Sequence, residues 1–251
     1  MKRSHLLGAI ALTVPFLAAA QAVAPVPENE MALAAARQGN LTLWREMLKL
    51  GATPQARDAS GNSALVMAVL SEREDMLREV LTQGIDVNAV GGGGMTALSV
   101  AVTRGHVDTA RRLLAAGARP DVADATGATP LAVATRMNRN ELALLLLNAG
   151  ADPDRADELR TRPLHLAAER GNTVIVAALL AAGGDPNGLD NERRSPLFLA
   201  LFEQHPAAAE LLIRHRRTDV RLLTQGSAPR VWAQQTGQTE LVALIDQRMA
   251  R

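Results

Sequence analysis

Short apolar segments alternate with polar breaks along most of the chain, and the stretch from Thr126 to Asp152 shows the pattern most clearly. One apolar segment begins at Pro130, a polar break spans 137–140, and a second apolar segment ends before Gly150. Proline at a helix start and glycine after a helix predict a helix, a turn, a second helix and a loop. Helices this short do not bury their apolar faces alone, so the pattern also predicts copies that stack on one another.

These copies recur at a step of 33 residues. A glycine after the second helix, an inward leucine and an inward alanine each repeat in this register, and a fourth register holds residues that suit a tight turn. The members are Gly51, Gly84, Gly117, Gly150 and Gly183; Leu65, Leu98, Leu131, Leu164 and Leu197; Ala68, Ala101, Ala134, Ala167, Ala200 and Ala233; and Gly39, Glu72, Gly105, Asn138, Gly171, Gln204 and Gly237. The sequence therefore predicts an all-α solenoid of helix-turn-helix units of 33 residues.

The repeated motifs resemble those of the ankyrin-repeat family, and the resemblance covers nearly everything after residue 28. The matching motifs are the helix starts Thr129-Pro130-Leu131, Pro163-Leu164-His165 and Ser195-Pro196-Leu197, the turn Gly105-His106 and the repeat end Gly150-Ala151-Asp152. The resemblance implies an ankyrin-repeat solenoid whose units are joined by β-turn or hairpin-like loops. It also implies that His106 and His165 form structural hydrogen bonds between neighbouring units.

The first residues do not share the repeat. Lys2 and Arg3 precede an apolar run, and the small residues Ala20 and Ala22 end it, which predicts a signal peptide over 1–22 cut after Ala20 or Ala22. We therefore expect a periplasmic or secreted protein with no stable membrane insertion after cleavage. The repeat domain then covers 23–251, with an N-terminal cap unit at 28–50, full units over about 51–216 and a C-terminal cap unit at about 218–251.

Charge and cysteine content narrow the function classes. The formal charge of +1 becomes about −1 once Lys2 and Arg3 are removed, so the mature chain has no overall electrostatic signature for nucleic acid. No cysteine is present, which excludes disulfides and lipid attachment through cysteine. The basic run 214–217 replaces the usual glycine at the end of the fifth full unit.

Catalysis is the first functional hypothesis, and the motifs do not favour it. The chain has no Gly-x-Ser-x-Gly motif, no phosphate-binding loop followed by lysine and no paired metal-ligand spacing. The glycine run 91–94 is followed by Met95 and Thr96 where a phosphate-binding loop requires lysine, so we interpret the run as a flexible loop tip. We expect neither an enzyme nor a bound cofactor or metal.

Binding of another protein is the better hypothesis, because the resemblance implies one concave face built from loop tips and first helices, and exposed residues in that row carry specificity. The residues in the N-terminal part of this row are small and weakly apolar, and those in its C-terminal part are charged. Ala125, Thr126 and Ala128 lie at the midpoint of the whole row. The predicted protein-binding residues are Met95, Arg104, Arg136, Met137, Glu158, Glu169, Arg170, Glu192, Arg194, Phe202 and Glu203. Trp44 and Trp232 lie at positions expected to be core.

The resemblance to exported bacterial ankyrin proteins suggests a monomer with one of two roles. One is protecting or assisting a periplasmic enzyme, and the other is neutralising a toxin as an immunity protein. An effector delivered to another cell is a third hypothesis. The sequence does not rank these roles, and it does not identify the partner.

One departure from the family pattern has a structural consequence. Gly91 stands where Asp58, Asp124, Asp157 and Asp190 supply a loop aspartate in the other units. We expect fewer hydrogen bonds between units around Gly91, and therefore early fraying between the first two full units.

Overall fold

The computed structural model describes residues 27–250, and in this part of the chain fourteen α-helices follow one another with no β-strand. The fold is thus the predicted all-α repeat solenoid. The predicted signal peptide, 1–22, lies outside the described residues. Isolated bridges such as the one joining Arg57 to Ser63 close two of the loop tips.

Seven helix pairs make up the stack: an N-terminal unit, units one to five and a C-terminal unit. The first helices are α1 (Pro27–Gln38), α3 (Ala64–Leu70), α5 (Ala97–Arg104), α7 (Pro130–Arg136), α9 (Pro163–Glu169), α11 (Pro196–Phe202) and α13 (Pro229–Gln235). The second helices are α2 (Leu41–Lys49), α4 (Glu74–Leu81), α6 (Val107–Ala115), α8 (Asn140–Asn148), α10 (Thr173–Ala181), α12 (Pro206–Arg214) and α14 (Thr239–Met249).

The helix starts form as the motifs predict. Thr129 caps α7, its hydroxyl accepting the Ala132 N–H at 3.2 Å, and Pro130 takes the first turn, where no hydrogen bond is lost. Arg162 stands at the start of α9, where other units carry a capping hydroxyl, and its own backbone N–H donates to His165 Nδ1 at 3.2 Å. The first helix, α1, begins at Pro27, and the Asn29 side chain accepts the Thr53 N–H at 2.8 Å.

The core is a ladder of leucine and alanine. The inward register Leu65, Leu98, Leu131, Leu164 and Leu197 is at most 2% exposed, and the alanine register is as deeply buried. Each buried leucine contributes about 1.5–3 kcal/mol through removal of its apolar surface from water. Because each unit shares these contacts with its neighbours, stability comes from stacking, as the sequence predicts.

Turns between the two helices of each unit confirm the fourth register. All seven turn residues have positive φ, from 54° at Asn138 to 82° at Gly105. In four units the side chain of the residue after the turn contacts the preceding unit. Arg139 Nη2 donates to the Thr103 carbonyl, and Gln238 Nε2 donates to the Leu201 carbonyl. Asn172 Nδ2 donates to Asn140 Oδ1, and His205 Nε2 lies 3.0 Å from the Glu169 carbonyl. Three of these bonds hold the C-terminal end of a first helix, and the bond from Asn172 to Asn140 joins the starts of two second helices.

The glycine run forms a close junction between neighbouring tips, and the expectation of fewer bonds at Gly91 is wrong. The Gly92 N–H donates to Asn62 Oδ1 at 3.2 Å, and the Gly93 carbonyl accepts the Ala125 N–H at 2.9 Å. A Cβ on Gly91 would lie 2.5 Å from Asn62 Oδ1, so glycine makes room for the Asn62 side chain. Close packing of neighbouring tips therefore accounts for the run, and the basis for early fraying is removed.

Candidate protein-binding face

One face of the solenoid collects the loop tips and the C-terminal ends of the first helices. From α1 to α12 the first helices pack more closely on one another than the second helices do, and unequal spacing bends a stack toward the closer row. The first helices therefore lie on the inner side of the curve. Each is only two turns long, so the tips and the helix ends are about 10 Å apart across this concave face.

Seven of the predicted residues lie at the ends of four consecutive first helices. All seven are exposed, because they follow the last inward residue of their helix by one or two positions. They are Arg104 on α5, Arg136 and Met137 at the end of α7, Glu169 and Arg170 at the end of α9, and Phe202 and Glu203 at the end of α11. The structure therefore brings this part of the prediction together on one side of the face.

The other four predicted residues lie at or beside the tips. Glu158 and Glu192 are exposed on the tips of units four and five, whereas Met95 is half-buried and packs against the core. Arg194 is also half-buried. Ala128, which was expected in the exposed row, is 2% exposed and belongs to the core, because it follows the tip turn and precedes α7.

Arg194 is held by its own tip. Its Nε donates to Asp190 Oδ2 at 2.7 Å, and its Nη1 lies 3.3 Å from Glu192 Oε2. Asp190 in turn accepts the backbone N–H groups of Glu192 and Arg194. Burial lowers the pKa of Arg194, but the Asp190 carboxylate outweighs burial and raises that pKa above its usual value. Arg194 therefore stabilises the tip in addition to any contact with a partner.

Several other charged side chains on the face are uncommitted. Arg104, Arg170, Glu158, Glu169 and Glu203 form no ion pair with any residue that the structure describes. Arg136 is loosely paired, since its Nη2 lies 3.8 Å from Asp157 Oδ2. Each of these unpaired side chains is able to form an ion pair with a partner protein without first breaking an ion pair in this chain.

An aromatic cluster lies at the C-terminal end of the face. The Phe202 ring stacks on Phe198 with centroids 5.4 Å apart, and Trp232 stands edge-on to Phe198 at 4.9 Å. Phe202 is 52% exposed in spite of these contacts. Trp44 is fully buried as expected, whereas Trp232 is half-buried and supports Phe202 from the next unit. The sequence did not predict this contact, because residues about one repeat apart meet only once the units stack.

Leu159 adds an exposed apolar residue that is absent from the predicted set of protein-binding residues. It is 65% exposed at the tip of unit four, between Glu158 and Arg160. Arg160 has a positive φ of 59°, which turns the chain sharply and leaves Leu159 at the outside of the bend. The signal in the sequence is a large apolar residue directly after the tip aspartate Asp157 and Glu158, where other units carry small or polar residues.

The histidines have structural surroundings. His165 is completely buried, and its Nε2 lies 3.1 Å from both the Gly188 and Arg194 carbonyls of the next unit. Because Nδ1 accepts the Arg162 N–H, the proton of the neutral ring is on Nε2. His106 Nε2 lies 3.5 Å from Glu72 Oε1 of the preceding unit. The inter-unit role implied by the resemblance is confirmed for His165.

Two further observations bear on the kind of site. Within residues 27–250 no group of three or more His, Asp or Glu side chains is arranged to hold a metal ion. No described helix is long and apolar enough to cross a bilayer.

Comparison with known proteins identifies the repeat. The family model described as "Ankyrin repeats (3 copies)" matches residues 89–157 and 156–223, which together make up more than half of the chain. No curated protein matches the sequence.

Proposed function

Since the chain belongs to the ankyrin-repeat family, whose repeats generally mediate protein–protein interaction, we propose that it binds another protein through its concave face. The observation that supports this most is the collection of exposed apolar side chains and unpaired charges at the ends of α5, α7, α9 and α11. The family is typically a non-enzymatic binding module. Specificity then comes from exposed side chains on a rigid frame.

Three apolar side chains are the proposed anchors. Met137, Leu159 and Phe202 are 45%, 65% and 52% exposed and lie on consecutive units of the face. Phe202 is the strongest of them, because Phe198 and Trp232 hold its ring in place and little side-chain freedom is lost on binding. Arg104 lies one unit before Met137, and Arg170 lies in the unit between Met137 and Phe202. Both arginines supply charged contacts that fix the position of the partner.

We also propose that the protein acts outside the cytoplasm, in the periplasm or after secretion. The support is the pattern of Lys2, Arg3, the apolar run and Ala20-Gln21-Ala22 in the sequence. Separating the periplasmic, membrane, cytoplasmic and medium fractions of the producing cells tests this directly. Recovery of the unprocessed chain in the cytoplasm would contradict it.

A pull-down with paired variants tests the binding face. Arg170→Ala combined with Phe202→Ala removes one free charge and one anchor, so affinity for a captured partner should fall at least about thirtyfold, since hot-spot truncations cost about 2 kcal/mol or more. Arg194 is left intact because it stabilises its tip through Asp190. Binding is measured by titration, and helicity is measured by circular dichroism.

The matched control is Arg111→Ala combined with Leu144→Ala, which removes one exposed arginine and one exposed apolar residue from α6 and α8 on the opposite side of the units. The control should bind like the original protein. Equal loss of affinity in both variants, or no loss in the Arg170 and Phe202 variant at unchanged helicity, would reject the concave face as the binding site.

A further inference from the structure

A second surface lies where the last two second helices end. We define the basic edge as Arg216, Arg217, Arg221 and Arg248, which lie beyond the end of α12 or in the last turn of α14. Arg216 and Arg217 belong to the basic run 214–217, which the sequence shows in place of the glycine after the fifth full unit. The protein-binding hypothesis does not use this run.

Three arginines of the basic edge donate to backbone carbonyls, and none of the four bonds to a carboxylate of a described residue. Arg248 donates to the His215 and Arg216 carbonyls at 2.9 and 3.0 Å and so caps the end of α12. Arg217 Nη1 donates to the Gly183 carbonyl at 2.9 Å, and Arg221 Nη2 to the Met249 carbonyl at 3.1 Å. None of the four forms an ion pair with a described residue, so their positive charges are not neutralised.

Few acidic groups lie nearby. Glu210 is already paired with Arg214, whose Nε donates to its carboxylate at 2.7 Å, and Asp219 accepts the Arg221 backbone N–H at 2.8 Å. His215 lies among the arginines, and burial first, then Arg217, Arg216 and Arg248, lower the pKa of its ring. The neighbourhood thus carries a local positive potential although the whole chain is nearly neutral.

Large apolar side chains accompany this charge. Met249, whose carbonyl accepts the hydrogen bond from Arg221, has a side chain that is 38% exposed. Leu223 follows Arg221 by two residues and is 58% exposed. Basic residues next to exposed apolar residues are the combination by which proteins attach to the surface of an anionic bilayer.

The arrangement favours an extended anionic surface over a small anion. Three of the guanidinium groups are held by separate carbonyls, those of Gly183, of residues 215 and 216, and of Met249, so these three are fixed at different points. A bilayer presents many phosphates over an area and accepts apolar side chains between its headgroups. We propose that the basic edge, with Leu223 and Met249, binds the surface of membranes that contain anionic phospholipids. This activity is additional to partner binding on the concave face.

Vesicle sedimentation tests the proposal. The full chain, as the producing cells make it, is mixed with vesicles of neutral phosphatidylcholine, or of phosphatidylcholine with about a third phosphatidylglycerol, at low and high salt. We expect binding to the anionic vesicles to be at least about tenfold tighter, and to weaken at high salt. Arg216→Gln combined with Arg217→Gln should weaken it about twentyfold or more, since each arginine near such a surface contributes about fivefold.

The matched control is Arg119→Gln combined with Arg155→Gln, which changes the net charge equally at exposed positions in two earlier loops. Leu223→Ser should weaken binding about fivefold and leave its salt dependence unchanged. Equal binding to both vesicle types would overturn the proposal, as would equal weakening by the control pair. Binding to soluble polyglutamate without binding to anionic vesicles would overturn it as well, and would point to an acidic protein segment instead.

Discussion

At the scale of single residues, His165 connects units four and five through a completely buried ring. Its Nδ1 accepts a backbone N–H, its Nε2 faces two carbonyls, and the ring is completely buried. Burial lowers the pKa of His165, and Arg162 lowers it further, although Asp190 and the two carbonyls act in the opposite direction. The ring is therefore neutral in the folded protein where an unfolded histidine is already charged.

This difference predicts loss of stability in mild acid. The unfolded chain takes up a proton as the pH falls through about 6.5, and the folded chain does not until its lower pKa is reached. The contribution of the neutral His165 ring to the free energy of unfolding is thus fully present above about pH 6.5. Below that pH the free energy of unfolding decreases by up to about 1.4 kcal/mol per pH unit. Urea unfolding of the original protein and of the His165→Gln variant between pH 7.5 and pH 5 measures this decrease in the free energy of unfolding.

The variant should be about 1–3 kcal/mol less stable at pH 7.5, because the buried carbonyls and the Arg162 N–H lose well-placed partners. The difference between the two proteins should shrink as the pH falls. A constant difference over this range would mean that the folded and unfolded pKa values of His165 are equal.

At the scale of elements, the helices follow from the sequence much more closely than the tips do. The helix positions repeat at one step, and proline starts and glycine stops act locally, so Pro130 and Gly150 are readable without a structure. The predicted loss of hydrogen bonds between units at Gly91 is wrong, because this glycine makes room for the Asn62 side chain of another unit. Arg194 and the contact of Phe202 with Trp232 likewise depend on how one unit packs on the next.

The tip of unit two yields a prediction that runs against the repeat pattern. Replacing Gly91 with aspartate restores the residue that other tips carry, but its Cβ would lie 2.5 Å from Asn62 Oδ1 and 3.0 Å from Asn62 Cα. We expect Gly91→Asp to lower the free energy of unfolding by about 1–3 kcal/mol, as overpacking does. Thermal or urea unfolding measures the change.

A double-mutant cycle with Asn62→Ala locates the cause. Removing the Asn62 amide relieves the shortest contact, so the two substitutions should be coupled by about 1 kcal/mol or more. Gly127→Ala is a useful comparison, because its Cβ would meet the Glu158 N at 3.1 Å and its φ is +78°, with no Asn62-like side chain involved. A stabilising Gly91→Asp substitution would show that the repeat pattern outweighs the local packing.

At the scale of the whole molecule, each unit touches only its neighbours, so the place of a defect in the stack decides how far its effect extends. Leu131 packs in the central unit and is completely buried, whereas Ile245 is completely buried in the C-terminal unit. Removing a large apolar side chain at either position costs about 2–5 kcal/mol locally. Only the substitution at Leu131 weakens the contacts that join the two halves of the stack.

The two tryptophans of the chain make this difference measurable. Trp44 is in α2 at one end, and Trp232 is in α13 at the other. Ile245→Ala should let α13 and α14 unfold first. Trp232 fluorescence should therefore change at a lower urea concentration than Trp44 fluorescence. The two signals are measured separately in proteins that also carry Trp44→Phe or Trp232→Phe. Leu131→Ala should move both transitions to lower urea. If Ile245→Ala instead shifts both signals together, the stack unfolds as one unit, and Phe202 loses its support from Trp232 only when the entire binding face is lost.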